Sequence, residues 1–224
     1  MQRALRFHFD FISPYAYLAW QWIHELAAAR GCVVEYRPVL FAALLDHHGQ
    51  LGPAEVEPKR RYIFKHSARR AHALGVPFQP PPAHPFNPLL GLRVASIELP
   101  ADARRRLIDA LMRAVWGGGP GIEEPAQVVA LIDAIGLDGA GLVAEAGAPA
   151  RKQALRDATA AAIAEGVFGV PTVLVDGELF WGSDARDDLD AFLRGEDPLP
   201  ADLFARWAHI QPSAVRPRSQ RPQG

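Results

Sequence analysis

The chain opens on a dense run of apolar positions. Residues 4–11 are rich in Leu and Phe with imperfect alternation, which predicts a buried strand. The run stops at Ser13-Pro14: serine is a favoured N-cap, and proline is favoured at the first helical position. Tyr17, Leu18, Trp20, Ile23 and Leu26 then follow helical spacing as far as Arg30, and Gly31 supplies a C-cap. Residues 33–39 return to a strand pattern. The opening is therefore read as β-α-β with parallel strands.

Residues 40–148 carry no convincing strand pattern. A basic helix is predicted over 58–74, a proline-dense loop over 75–88, and helices over 89–98, 101–116, 125–135 and 137–146. A glycine-rich break falls at 117–121. An alanine-rich helix follows over 149–165, then a strand over 173–175. Asp176-Gly177 is a strong two-residue hairpin signal, and 179–181 form the returning strand. Gly182-Ser183-Asp184 opens a last helix over about 185–193. The order is β-α-β, helical block, α-β-β-α, which is an α/β, thioredoxin-like fold with a large all-helical insertion. The expected division is 1–40 with 150–197 for the thioredoxin-like part and 41–149 for the insertion. Residues 198–224 form a tail with an amphipathic piece at 202–210, and the tail is expected to be largely disordered, its last dozen residues above all.

Composition narrows the function classes. The 224 residues are 49% hydrophobic, enough for a packed core, and the net charge is −1. No global basic field exists to hold nucleic acid or an anionic membrane, so neither partner is expected. No apolar stretch approaches a membrane span, and no secretory pattern opens the chain, so a cytoplasmic location is the expectation. Cys32 is the one cysteine, which excludes an intrachain disulfide and a CxxC centre. It sits in an apolar run and reads as a small buried hydrophobe. The histidines show no ligand spacing, and no metal is expected.

Three places could carry chemistry. Ser13 projects its hydroxyl beside unpaired helix N–H groups and the positive end of the helix dipole, where a thiol ionises more easily; the plainer reading is an N-cap. Val170-Pro171-Thr172 places a proline just before a strand. In Gly182-Ser183-Asp184 either polar side chain could cap the last helix, or the carboxylate could hold an ammonium group while free N–H groups receive a carboxylate. Lys59, Arg60, Arg61, Lys65, Arg69 and Arg70 form a basic helix face, read as solvated, with an electrostatic funnel for an anionic substrate as the alternative.

Taken together, these pieces resemble a known family. Phe9-Asp10-Phe11-Ile12-Ser13-Pro14-Tyr15-Ala16-Tyr17-Leu18-Ala19 is similar to the opening of 2-hydroxychromene-2-carboxylate isomerases, relatives of kappa-class glutathione transferases and of DsbA. Further matches are Arg37-Pro38, Gly49-Gln50, Lys59 with Arg61-Tyr62, Gly75-Val76-Pro77-Phe78, Pro85-Phe86-Asn87, Arg113-Ala114-Val115-Trp116, the segment 166–172 and Phe180-Trp181-Gly182-Ser183-Asp184. The resemblance implies a glutathione cofactor, an aromatic keto acid substrate and a homodimer. Ser13 would activate the glutathione sulfur. Pro171 would be cis, with the Val170 backbone pairing with the cysteinyl part, and Gly182, Ser183 and Asp184 would hold the γ-glutamyl end. Gln50, Lys59 and Asn87 match polar positions near the substrate, with Lys59 the first choice for its carboxylate. Two positions depart from the pattern: Gln50 stands where many relatives have Asn, and Ala185 separates Asp184 from Arg186. The competing readings are a kappa-like transferase or peroxidase, and a non-catalytic thioredoxin-fold binding module.

Overall fold

In the computed structural model, residues 2–200 and 202–214 are described. Strand β1 (Ala4–Phe9) runs into helix α1 (Pro14–Ala29) and then strand β2 (Val33–Pro38). β1 and β2 are parallel, in register from Ala4↔Val33 to Phe9↔Pro38. Strands β3 (Thr172–Val175) and β4 (Glu178–Trp181) form the hairpin, and β3 pairs antiparallel with β1. The sheet order is β2-β1-β3-β4. Asp176 and Gly177 both have positive φ (51° and 87°), the conformation that a two-residue primed turn requires.

Alternation along β1 assigns its two faces. Phe7 and Phe9 turn toward α1 and meet the Trp20 ring. Arg6 and His8 turn the other way, toward Glu165 at the end of helix α8 (Pro149–Ala164). Helix α9 (Arg186–Leu193) packs with α1, so α1 and α9 cover one face and α8 the other.

Between β2 and α8 lie helices α2 (Phe41–His48), α3 (Glu57–Leu74), α4 (Leu89–Ala95), α5 (Ala101–Trp116), α6 (Pro125–Asp133) and α7 (Gly139–Gly147). Helix α10 (Leu203–Trp207) follows the sheet. This is a thioredoxin-like fold with helices inserted between its halves. Helices α4, α5 and α6 share one core with the sheet: Phe7, Phe9 and Leu18 belong to the same buried cluster as Leu92, Ile108, Trp116 and Ile132, while Leu44 of α2 packs in a smaller cluster with Val39 and Val170.

Several boundaries differ from the sequence expectation. β1 ends at Phe9, not at residue 11, because the Asp10 carboxylate takes the amides of Ile12 (3.0 Å) and Phe41 (2.9 Å) and turns the chain out of the ladder. Phe11 stays fully buried without being paired. Helix α2 was not anticipated; Gly49 closes it in the left-handed conformation. Gln79 and Gly117 form a single parallel bridge inside the helical segment. α9 starts at Arg186 on Ala185 with no side-chain cap, so neither Ser183 nor Asp184 caps it. The disorder expected over the last dozen residues falls mainly on 215–224, which lie outside the described residues. Among the described residues no helix is long and apolar enough to cross a membrane.

Candidate active site

Ser13 is built into the start of α1. Its backbone is extended, and its Oγ accepts from the Ala16 amide at 3.2 Å, with Pro14 at the first helical position. The same Oγ donates to the Val170 carbonyl at 3.2 Å. Ser13 is buried, though not completely, at 7% exposure. A hydroxyl held at a helix N-terminus faces the unpaired first-turn amides and the positive end of the dipole, which together favour an anion beside it.

The Val170-Pro171 peptide is cis. The Pro171 carbonyl accepts from the Gly182 amide at 3.0 Å. Gly182 has φ 104°, a region that side chains rarely enter, and a Cβ there would meet Asp184 Oδ1. The turn is pinned to α1 by Trp22, whose indole Nε1–H donates to the Ser183 carbonyl at 3.1 Å. One chain of contacts thus joins Ser13, Val170, Pro171 and Gly182 and carries Ser183 and Asp184 with them. Phe168 and Trp181 form an exposed aromatic pair beside this turn, ring centroids 5.1 Å apart.

Residues the sequence reading missed line the same end of α1. Arg70 Nε donates to His66 Nε2 (3.3 Å), which places the ring proton on Nδ1, where it is given to the Tyr15 oxygen at 3.1 Å. The Tyr15 phenol keeps its own proton to donate. Burial pushes its pKa up, Tyr62 and Asp184 add to the rise, and Arg70 opposes it. Tyr62 stacks on His66 with an interplanar angle of 9°. Asp10 lies three residues before Ser13, fully buried, and burial pushes its pKa up to about 7 against two amide hydrogen bonds. An acid inside an apolar Phe-Asp-Phe run was the signal for it. Tyr15, by contrast, was hidden in a helix start that its neighbours already explained.

The loop before α1 is held from behind by the helical segment. Trp116 Nε1–H donates to the Phe11 carbonyl at 2.8 Å, and His84 Nε2–H donates to the Ile12 carbonyl at 2.9 Å. That tautomer leaves His84 Nδ1 as a buried acceptor with no partner, and burial lowers the pKa of the ring.

The polar positions of the helical segment sit differently. Lys59 is exposed on α3 and lines a shallow apolar cavity of about 390 Å³ with Tyr62, Ile63 and two prolines. Through Tyr62 and His66 this wall reaches Tyr15. Gln50 is exposed just after α2, its amide donating to the Leu45 carbonyl at 2.9 Å. Asn87 is exposed too: its Oδ1 accepts from the Leu89 amide (3.1 Å) and its own N–H donates to Glu123, a local arrangement at the start of α4. Arg61 pairs with Glu57, so the basic face of α3 is largely a solvated one. Cys32 is buried, and burial raises the pKa of its thiol. Among the described residues no group of His, Cys, Asp or Glu is placed to hold a metal ion.

This site, at a helix N-terminus beside a cis-proline loop on a thioredoxin-like sheet, defines a class. The chain belongs to the DsbA-like thioredoxin-domain family, whose model matches residues 4–194. It is 31% identical over 196 residues to a 2-hydroxychromene-2-carboxylate isomerase of Sphingobium xenophagum, covering 86% of this chain and 99% of that one. It is 28% identical to glutathione S-transferase kappa 1 of Rattus norvegicus, covering 91% and 97%. Among solved structures, a 2-hydroxychromene-2-carboxylate isomerase superposes with a TM-score of 0.80 at 25% identity, covering 86% and 95%.

Proposed function

We propose that the protein is a glutathione-dependent isomerase of 2-hydroxychromene-2-carboxylate-type aromatic keto acids. The observation that carries this reading is the Ser13 hydroxyl at the N-terminus of α1, shared between the Ala16 amide and the Val170 carbonyl. The residues present fit glutathione. The fully polar turn at 182–184 combines a carboxylate with backbone donors, which suits a γ-glutamyl end carrying both charges. Val170, ahead of the cis Pro171, offers backbone groups for the cysteinyl part.

Glutathione, when bound, supplies a thiolate that adds reversibly to a conjugated carbon and frees the adjoining bond to rotate. The chain's own residues do the rest. Ser13 Oγ–H turns from the Val170 carbonyl toward the sulfur and lowers the energy of the anion there, with the α1 dipole adding to it. Asp184 takes the ammonium, and the Ser183 N–H, in the turn that Gly182 shapes, takes the α-carboxylate. Lys59, on the open wall of α3, meets the keto acid carboxylate, with Gln50 and Asn87 as further polar contacts. Tyr15 holds a proton at the mouth of the site, delivered from a phenol whose raised pKa keeps it protonated. The same reading includes a homodimer.

The likeness to a kappa-class transferase supports a second reading, in which the same thiolate leaves as a conjugate. Incubation with a chromene carboxylate and catalytic glutathione separates the two: the isomerase returns all the glutathione, the transferase consumes it. A binding module would turn over neither.

A further inference from the structure

A second cavity, of about 370 Å³, lies on the α8 face of the sheet, where α2, α4 and α8 meet. Its volume is within the range of small-molecule sites. It is separate from the Ser13 site: Ser13 and Tyr15 belong to the α1 side, while Phe7 and Phe9 alternate with Arg6 and His8 to divide the two faces.

The cavity is polarised along α8. Lys152 and Arg156 line it toward the helix N-terminus, and Ala160 and Ile163 line it toward the C-terminus. These positions fall on one side of the helix. From 152 to 163 is eleven residues, about 16 Å at the helical rise. Leu40 closes the aliphatic end, its amide donating to Thr159 Oγ1 at 3.0 Å. From α4, Leu89 adds to the apolar wall and Arg93 adds a third cation.

Among the described residues none of the three cations makes an ion pair, and the Arg156 guanidinium reaches only the Gln153 amide oxygen. Arg151, their neighbour, is paired with Glu145. Arg93 Nε is buried and has no hydrogen-bond partner. A buried donor without a partner carries a desolvation cost that a bound acceptor removes. Three like charges around one cavity add a repulsion that an anion relieves.

We propose that this cavity binds an amphipathic carboxylate, a medium-chain acyl acid. Its carboxylate sits among Arg93, Lys152 and Arg156, and its chain lies along the aliphatic wall toward Leu40 and Ile163. The walls hold no aromatic ring to stack on, and their length along α8 suits a flexible chain rather than a fused ring.

Calorimetric titration of the full chain with decanoate, and with decanol as the neutral counterpart, tests this. One saturable decanoate per chain is expected, in the presence of saturating glutathione and in Ser13→Ala alike. Decanol should bind weaker by roughly tenfold or more, the scale of a lost charge-assisted contact. Arg93→Gln should weaken decanoate and leave decanol unchanged. The pair Lys152→Gln/Arg156→Gln, both exposed positions, should do the same and keeps the test open if Arg93→Gln fails to fold. Absence of saturable decanoate binding would overturn the proposal. So would equal binding of decanol, or loss of decanoate binding in Ser13→Ala, which would assign the ligand to the first site. None of these outcomes bears on the isomerase reading, which the glutathione experiment tests separately.

Discussion

The Ser13 oxygen takes a proton from one side and gives one to the other, so it is positioned before any ligand arrives. Ser13→Ala keeps the fold and removes the donor; kcat on a chromene carboxylate should fall roughly 10²-fold or more, the usual loss for one preorganised donor. Tyr15→Phe should lower kcat by about tenfold with a smaller change in KM, the signature of a group used for proton delivery. Asp10 gives a pH test. Its folded pKa, about 7, lies above its ordinary value, so the native state holds the proton more tightly than the unfolded chain. The stability from that proton is fully present below pH 4 and is lost as pH rises toward 7. Asp10→Asn should therefore gain on the native protein across this window, by on the order of 3 kcal/mol, measured by urea unfolding at both ends. His8, whose buried ring is lowered to about 4, acts in the opposite sense and destabilises as pH falls from 6.5. Ser13 was legible because a Ser-Pro pair at a strand-to-helix junction has a local meaning. Asp10 stood out as an acid in an apolar run, but its role did not, because that depends on the Phe41 amide, thirty-one residues away.

Elements with local punctuation were read correctly. Ser13-Pro14 and Gly31 bracket α1, and Asp176-Gly177 makes the hairpin whatever surrounds it. Helix α2 was missed because eight residues after a strand carry too little periodicity, and the cap that ends it, Gly49, resembles any loop glycine. The end of β1 was overextended because burial and strand pairing are different things: the Phe11 ring packs edge-on against Phe9 and its carbonyl takes the Trp116 indole N–H, with no ladder partner. Gln50 and Asn87 are exposed, and the Asn87 Oδ1 accepts from the Leu89 amide, so no local pattern marks them and their role toward substrate rests on the resemblance. The link between α5 and the site loop is the Trp116 indole. Trp116→Phe strands the buried Phe11 carbonyl and should cost about 1–3 kcal/mol of stability, read by denaturant unfolding, with kcat falling as the loop before Ser13 loosens.

Among the described residues one large core spans the sheet and most of the inserted helices, and a smaller cluster of Val39, Leu44, Ala162, Val167 and Val170 lies apart from it. The sheet and α1 bury the same cluster as α4, α5 and α6, and Tyr17, Trp116 and His84 tie the helical segment to the loop that presents Ser13. Unfolding should thus be a single transition, with tryptophan fluorescence and far-UV dichroism coinciding; two separated transitions would mean that the helices fold independently of the sheet. At this scale Ser13 and Val170, 157 residues apart, meet across the two ends of the fold, which no sequence spacing shows. The central claim is the glutathione site, and calorimetric titration of the native chain and of Asp184→Ala with glutathione tests it most directly. The account predicts saturable binding to the native protein, in the micromolar to millimolar range, roughly tenfold or more weaker when the Asp184 carboxylate is gone. A folded native protein that takes up no glutathione would contradict it.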